Sequence, residues 1–349
     1  MRTVKEFYHY VSIDPLILER AKFLALCVLY ILRGIVYAFI PASYFMKDVE
    51  NEIIVITGGG YGLGRLLAIR FARLGAKIVI WDLNVENMEC TSDMIRKEGG
   101  TCHYYQCDVS DPGTVYCTAE KVRQEIGDPT IVIMNAGIVN GTKLLNTPDE
   151  RIKACFAVNT LSHFWLIKAF MPNMMKKNSG HLVSIDSVSA HFGTYNLVDY
   201  TASKSASHRL QDSIAAELKY SGYTGIRVTS VMPYFINTGM FAGATSSMIP
   251  ILDPDYVADR IVIGIRCNRS NVFVPGYFSI LYTLTVAIPY KAYFCFHQAV
   301  FGGDMMSKFT GRTISFDLPP TTSCPNGNTI TDETNANYLS SSLQKSKVI

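Results

Sequence analysis

From residue 52 onward the chain alternates between short β-branched runs and stretches of helical spacing. EIIVI precedes GRLLAIRFARLG, KIVIWD precedes VENMECTSDMIRKEG, and CHYYQCDV precedes a further helix. PTIVIMNAG, a long helix, GHLVSIDS, a helix over DYTASKSA and GIRVTSVMP follow, and the last run is NVFVP at 271–275. Strands that alternate with helices need crossover connections, which lay the helices over the sheet. Strands buried on both faces read as continuous apolar runs, as most of these do. The pattern predicts an α/β fold with a parallel sheet covered on both faces. No internal repeat is visible.

The first run leads directly into TGGGYGLG, residues 57–64. Glycines at the first strand-to-helix turn of a βαβ unit are the setting of a dinucleotide-binding turn. Gly58 permits the tight turn, Gly62 lets the backbone approach a pyrophosphate at the positive helix N-terminus, and Gly64 lets the helix pack close to the strand. Tyr61 and Leu63 belong to the same predicted cofactor contact. The second run ends in Asp82, about 20 residues on, where an acid grips the adenosine ribose hydroxyls and repels a 2′-phosphate. That favours NAD over NADP, although Arg65 stands near enough to accommodate a phosphate. Asp108 and Val109 end the third run, and Asn135, Ala136 and Gly137 end the fourth. All lie at the carboxyl edge of the sheet, where open α/β folds bind ligands. These strand ends specify a Rossmann-type doubly wound parallel sheet.

DYTASKSA places Tyr200 four residues before Lys204, on one helix face. A protonated amine beside a phenol favours the phenolate, lowering a pKa that ordinarily lies near 10. Such a pair can exchange protons at neutral pH. An ordinary surface pair would show the same spacing. His163, His181, His191 and His208 have no ligand spacing and read as core or surface residues, so no metal is expected.

TGGGYGLG, Asn135-Ala136-Gly137, Asn159 in FAVN, Ser187 and Tyr200-x-x-x-Lys204 together resemble the short-chain dehydrogenase/reductase family, over roughly residues 52–275. The resemblance implies that Tyr200 is the catalytic acid/base and that Lys204 lowers its pKa and holds the nicotinamide ribose. It implies that Ser187 hydrogen-bonds the substrate oxygen and that Asn159 supports a water linking Lys204 to solvent. Ser184 and Ser189 flank Ser187, but the spacing to Tyr200 selects Ser187. Pro233 and Thr238, in MPYFINTGMF, match the segment that meets the nicotinamide carboxamide. Met134 stands where the family often has a second asparagine. GLGRLLAIRFARLGAKIVIWD, HFWLIKAFMPNM and PYFINTGMF look like a membrane-associated branch containing retinol, epidermal retinal and lipid-droplet 17β-hydroxysteroid dehydrogenases. That branch implies a lipophilic alcohol or ketone as substrate, retinol/retinal first and a 17β-hydroxysteroid or other lipid as the alternative. It also implies endoplasmic reticulum or lipid-droplet attachment with the catalytic domain facing the cytosol, and a homodimer through the helices carrying Asn159 and Tyr200. A non-catalytic cofactor-binding membrane protein is the contrasting expectation; it has no need of Asn159, Ser187, Tyr200 and Lys204 together.

The net charge of +3 is too small to call for a nucleic-acid partner. Nine scattered cysteines without a CxxC pair read as reduced thiols. FLALCVLYILRGIVYAFI, residues 23–40, is about long enough to enter or span a bilayer. Arg33 is costly in a simple span and cheaper in an interfacial segment, where its head can reach water. The predicted organisation is an N-terminal apolar membrane-anchor segment at 1–50, a single catalytic domain at 51–276, an apolar extension at 277–317 and a disordered polar tail at 318–349.

Overall fold

A computed structural model describes residues 15–246, 249–301 and 305–311. Seven strands form one sheet: β1 (Ile53–Thr57), β2 (Lys77–Asp82), β3 (Thr101–Gln106), β4 (Ile131–Met134), β5 (Gly180–Ile185), β6 (Ile226–Pro233) and β7 (Asn271–Val274). Their order is β3-β2-β1-β4-β5-β6-β7, with every neighbouring pair parallel. The chain starts in the middle, winds outward to β3, then returns to build the other half. This is the doubly wound sheet that the alternation predicts, and its reversal between β1 and β4 opens a crevice at the carboxyl edge.

The ten helices of the described residues are α1 (Pro15–Ala38), α2 (Gly62–Arg73), α3 (Val85–Lys97), α4 (Pro112–Glu125), α5 (Asp149–Phe156), α6 (Ser162–Lys177), α7 (Val198–Tyr220), α8 (Pro254–Arg266), α9 (Phe278–Ala287) and α10 (Tyr290–Phe301). Local chemistry fixes their starts. The Asn84 side chain accepts from the Asn87 amide at 2.8 Å, and Asp111 accepts from that of Thr114 at 2.7 Å before a proline at the first helical position. One hydrophobic cluster gathers Ile54, Ile56, Ile78 and Ile80 with α2, α3 and α8; the other gathers Val55, Val79, Val132 and Leu182 with α4 and α6. Alternate residues of one strand thus serve opposite layers.

The N-terminal segment expected as a membrane anchor is a helix among the described residues. The apolar N-terminal segment forms α1, which is exposed from Leu16 to Tyr37 apart from the half-buried Cys27. Glu19, Arg20, Lys22 and Arg33 interrupt it, and among the described residues no helix is long and apolar enough to cross a membrane. Beyond β7, α9 and α10 fold back over the carboxyl edge. Phe278 and Phe301 are buried in an aromatic group with Phe192 and Tyr234. Residues 305–311 are laced to the loop after β6: Thr245 N donates to Met305 O at 2.8 Å and Thr310 N to Ala242 O at 2.9 Å. The polar tail at 318–349 lies outside the described residues.

Candidate active site

The turn after β1 is held from three sides. Gly58 adopts φ +66°, the left-handed region that favours glycine. A Cβ there would stand 3.0 Å from Ala136 Cα, and a Cβ on Gly64 would collide with the Gly58 carbonyl. Asn135 Nδ2 donates to Thr57 O at 2.9 Å and to Gly58 O at 3.2 Å, tying the end of β4 to the glycine turn. Thr57 Oγ1 accepts from the amides of Asn135 and Ala136 at 3.0 and 3.1 Å. Gly62, with φ +57°, opens α2 and faces Thr238, whose Cβ would lie 3.4 Å from a Cβ on Gly62. Asp82 Oδ2 accepts from the Gly60 amide at 3.0 Å. Asp108 Oδ1 accepts from Ser110, 2.9 Å from the amide and 2.7 Å from the hydroxyl.

The proton-handling group sits one strand over. Ser187 begins the turn after β5, and its Oγ accepts from the Ser189 amide at 3.1 Å. It hydrogen-bonds the Tyr200 phenol. Ser184 is turned away, donating to Asp186 Oδ2 at 2.6 Å, while Ser187 and Ser189 line the cavity. Lys204 Nζ donates to Ile185 O at 2.7 Å and lies 5.9 Å from the Tyr200 ring centre. Asn159 stands on a π-helical turn, Ala157–Leu161, between α5 and α6, a distortion frequent at functional sites. Its Oδ1 accepts from Ile138 N at 2.8 Å, and its Nδ2 donates to Ile138 O at 2.9 Å and Ser203 Oγ at 3.0 Å. A Cβ on Gly137 would lie 3.3 Å from Asn159 Oδ1 and 3.5 Å from Lys204 Nζ, so the glycine keeps open the space between them.

The electrostatics differ from the simple pair. Burial pushes the Tyr200 phenol well above its ordinary value, opposed first by the Ser187 hydrogen bond. Burial lowers Lys204 as well, and its ammonium donates to Ile185 O. Burial is the largest influence on both groups.

A cavity of about 670 Å³ joins the two groups. Every sequence-predicted residue lines it except Gly64 and Asn159, which act from behind through backbone packing and the Ile138 clamp. The dinucleotide fits the near end, where Gly58, Gly62 and Gly137 keep the wall free of side chains and Tyr61, Leu63, Asp82, Asp108 and Val109 edge it. The far end is apolar: Phe241 meets the Tyr200 ring edge-on at 5.8 Å, Phe235 meets Phe241 at 4.8 Å, and Leu197 and Phe301 complete it. The sequence motifs did not reach Leu197, Thr194, Met240 or Phe301. Apolar character in the extension was the one signal for Phe301.

Known proteins agree with this arrangement. A family model described as short chain dehydrogenase matches residues 52–248. Human epidermal retinol dehydrogenase 2 is 41% identical over 273 residues, covering 77% of this chain and 88% of that protein. Mouse 17-beta-hydroxysteroid dehydrogenase 13 is 38% identical, covering 76% and 86%. Among solved structures, a short-chain dehydrogenase/reductase from Burkholderia phymatum in complex with NAD superposes with a TM-score of 0.64 at 23% identity, covering 69% of this chain and 95% of that one. A metagenomic short-chain oxidoreductase in complex with NADP gives 0.57 at 26% identity, covering 65% and 98%. With the fold, the glycine turn and the Ser–Tyr–Lys group on one cavity, the chain belongs to the short-chain dehydrogenase family and is an NAD(P)-dependent oxidoreductase.

Proposed function

We propose that the protein oxidises or reduces a lipophilic alcohol/ketone pair, retinol/retinal first, with NAD. The observation that carries this reading is the single cavity that runs from the glycine turn past Tyr200 into an aromatic-walled end. The relatives named retinol and 17-beta-hydroxysteroid dehydrogenases support the substrate class, and the steroid remains the second reading on that ground.

When bound, the nicotinamide supplies a hydride acceptor. Gly58, Tyr61, Gly62 and Leu63 would cradle the pyrophosphate with Gly64 packed behind them, Asp82 would hold the adenosine ribose, Asp108 and Val109 the adenine side, and Asn135, Ala136, Gly137, Pro233 and Thr238 the remainder. Tyr200 takes the hydroxyl proton as the carbinol carbon is oxidised, and returns it in the reverse direction. Ser187 donates to the oxygen on which charge develops. Lys204 holds the ribose and favours the phenolate as a cation, and Asn159 fixes the space through which a water connects Lys204 to solvent.

We further propose that α1 lies in a membrane or lipid-droplet interface, since its apolar residues stand exposed and its charges suit a surface rather than a span. The endoplasmic reticulum and lipid droplets are the proposed sites, with the cavity facing the cytosol. Exposed Leu161 and Phe164 support a homodimer through α6 and α7. The test is turnover of all-trans-retinol, oestradiol and a long-chain alcohol by membrane-reconstituted protein, each with NAD and NADP. Saturable cofactor binding without turnover of any of them would reverse the reading in favour of a non-catalytic role.

A further inference from the structure

Asp186 lies between Ser187 and the Lys204 contact at Ile185, is 2% exposed, and has no part in the roles above. Both of its oxygens are occupied by hydroxyl donors. Ser184, on β5, donates to Oδ2 at 2.6 Å, and Ser207, on α7, donates to Oδ1 at 2.6 Å. Acceptance at both oxygens is the pattern of an ionised carboxylate. Since the Ser207 hydrogen goes to Asp186, the 2.9 Å contact between Ser207 Oγ and His163 Nδ1 must run from the imidazole to the hydroxyl. His163 is then the Nδ1–H tautomer, and its Nε2 is buried without a partner. His208 Nδ1, also buried without a hydrogen bond, faces Asp186 Oδ2 at 4.0 Å. His191 packs on the His208 ring at 4.7 Å, and Asp212 lies 3.8 Å from His208 Nε2. Tyr200 and the buried Cys155 of α5 are the further titratable groups around Lys204.

Lys204 is 3% exposed and makes one hydrogen bond, to a neutral carbonyl; no ion pair among the described residues includes it. A buried ammonium with one neutral partner is costly unless an opposite charge stands near. Asp186 directly follows Ile185, whose carbonyl takes the Lys204 ammonium, is held by Ser207 three residues on from Lys204 along α7, and lines the same cavity, so its carboxylate can offer that charge.

We propose that Asp186 is a positioning residue: it supplies the buried counter-charge that keeps Lys204 cationic, and Ser184 and Ser207 hold it there. This rests on the roles proposed for Tyr200 and Lys204. The directions of titration agree, since the charge of Asp186 raises Lys204 against the effect of burial and raises Tyr200 together with it. Removing it lowers both, so the whole pH–rate profile moves to lower pH.

The test is the pH dependence of kcat/KM for the full chain and for Asp186→Asn, with Asp186→Ser as a second charge-free variant and Asp186→Glu as the charge-keeping one. The expected result is a shift of both limbs to lower pH by about one unit in the charge-free variants, and limbs restored by glutamate. Lower amplitude with unmoved limbs would overturn the proposal, because a merely structural role predicts it. Wild-type protein carrying ¹³Cε-lysine gives a readout that does not need turnover. The Lys204 signal, identified by its loss in Lys204→Arg, should remain that of a cation through pH 8. A neutral Lys204 at pH 7 would sink the proposal even if turnover is found. A cationic Lys204 without turnover would instead fault the proposed reaction.

Discussion

Arg65 donates from Nε to the carbonyl of Gly60 at 3.0 Å, while the amide of the same Gly60 donates to Asp82. The guanidinium is further engaged by Thr91 Oγ1 at 2.9 Å and Asn87 O at 3.3 Å. The arginine that a sequence offers to a 2′-phosphate is therefore already holding the glycine turn, with a carboxylate on the other side. Cofactor preference follows: kcat/KM with NAD should exceed that with NADP at least tenfold, about 1.4 kcal/mol. Asp82→Ser should narrow the ratio. Equal use of both cofactors by the unaltered protein would count against this account of Asp82.

Replacing Tyr200 with Phe removes the hydroxyl but keeps the ring that packs on Phe241. The expected loss in kcat is about 10²- to 10⁴-fold, with the dissociation constant for NAD changed less than about threefold. Steady-state rates with calorimetric NAD titration separate the two. Turnover retained within tenfold would remove Tyr200 from the proton step.

Stability should fall in mild acid. Burial pushes His163 down to about 3 and His191 to about 4 from the ordinary 6.5. Both are neutral in the folded chain, so between those values and 6.5 the unfolded chain binds more protons. Their contribution is thus complete above pH 6.5 and is lost as pH falls toward 4 and below. Thermal unfolding followed from pH 7.5 to 4.5 should show Tm dropping, with a shallower slope in His163→Gln. An unchanged slope would mean that His163 is not the group responsible.

Phe301 is 2% exposed and stacks on Phe192 at 5.1 Å. Phe301→Ala should cost roughly 3–5 kcal/mol of stability, and should raise kcat/KM for a bulkier alcohol relative to a smaller one. Denaturant unfolding and paired substrate assays read the two effects. A stability loss with unaltered substrate ranking would confine Phe301 to packing.

What was legible in the sequence was what local spacing determines. Gly58, Asp82, Asp108 and Asn135 end successive strands, so an alternating pattern delivers them to one edge without knowledge of any distant contact. Tyr200 and Lys204 are one helical turn apart and could be placed in the same way. The strength of their coupling was not legible, since it depends on burial and on Lys204 turning to Ile185. Arg65 read as a phosphate ligand because its partners, Thr91 and Asn87, come from the next helix. Asp186 was passed over for the same reason: its meaning comes from Ser207 and His208, on α7. The helix α1 shows a third limit. Its apolar length suggested an anchor, interfacial rather than spanning because of Arg33, and no helix of the described residues is long and apolar enough to cross a membrane.

The lacing of residues 305–311 onto the loop after β6 bears on how such a protein can diversify. All seven strands, the glycine turn and the Ser–Tyr–Lys group are complete by residue 274, whereas one wall of the cavity arrives about a hundred residues after Tyr200. A transcript truncated just past β7 would encode the dinucleotide cradle with its substrate chamber unroofed. Changes in the last segment can accordingly alter which substrate is admitted while the chemistry upstream is inherited intact.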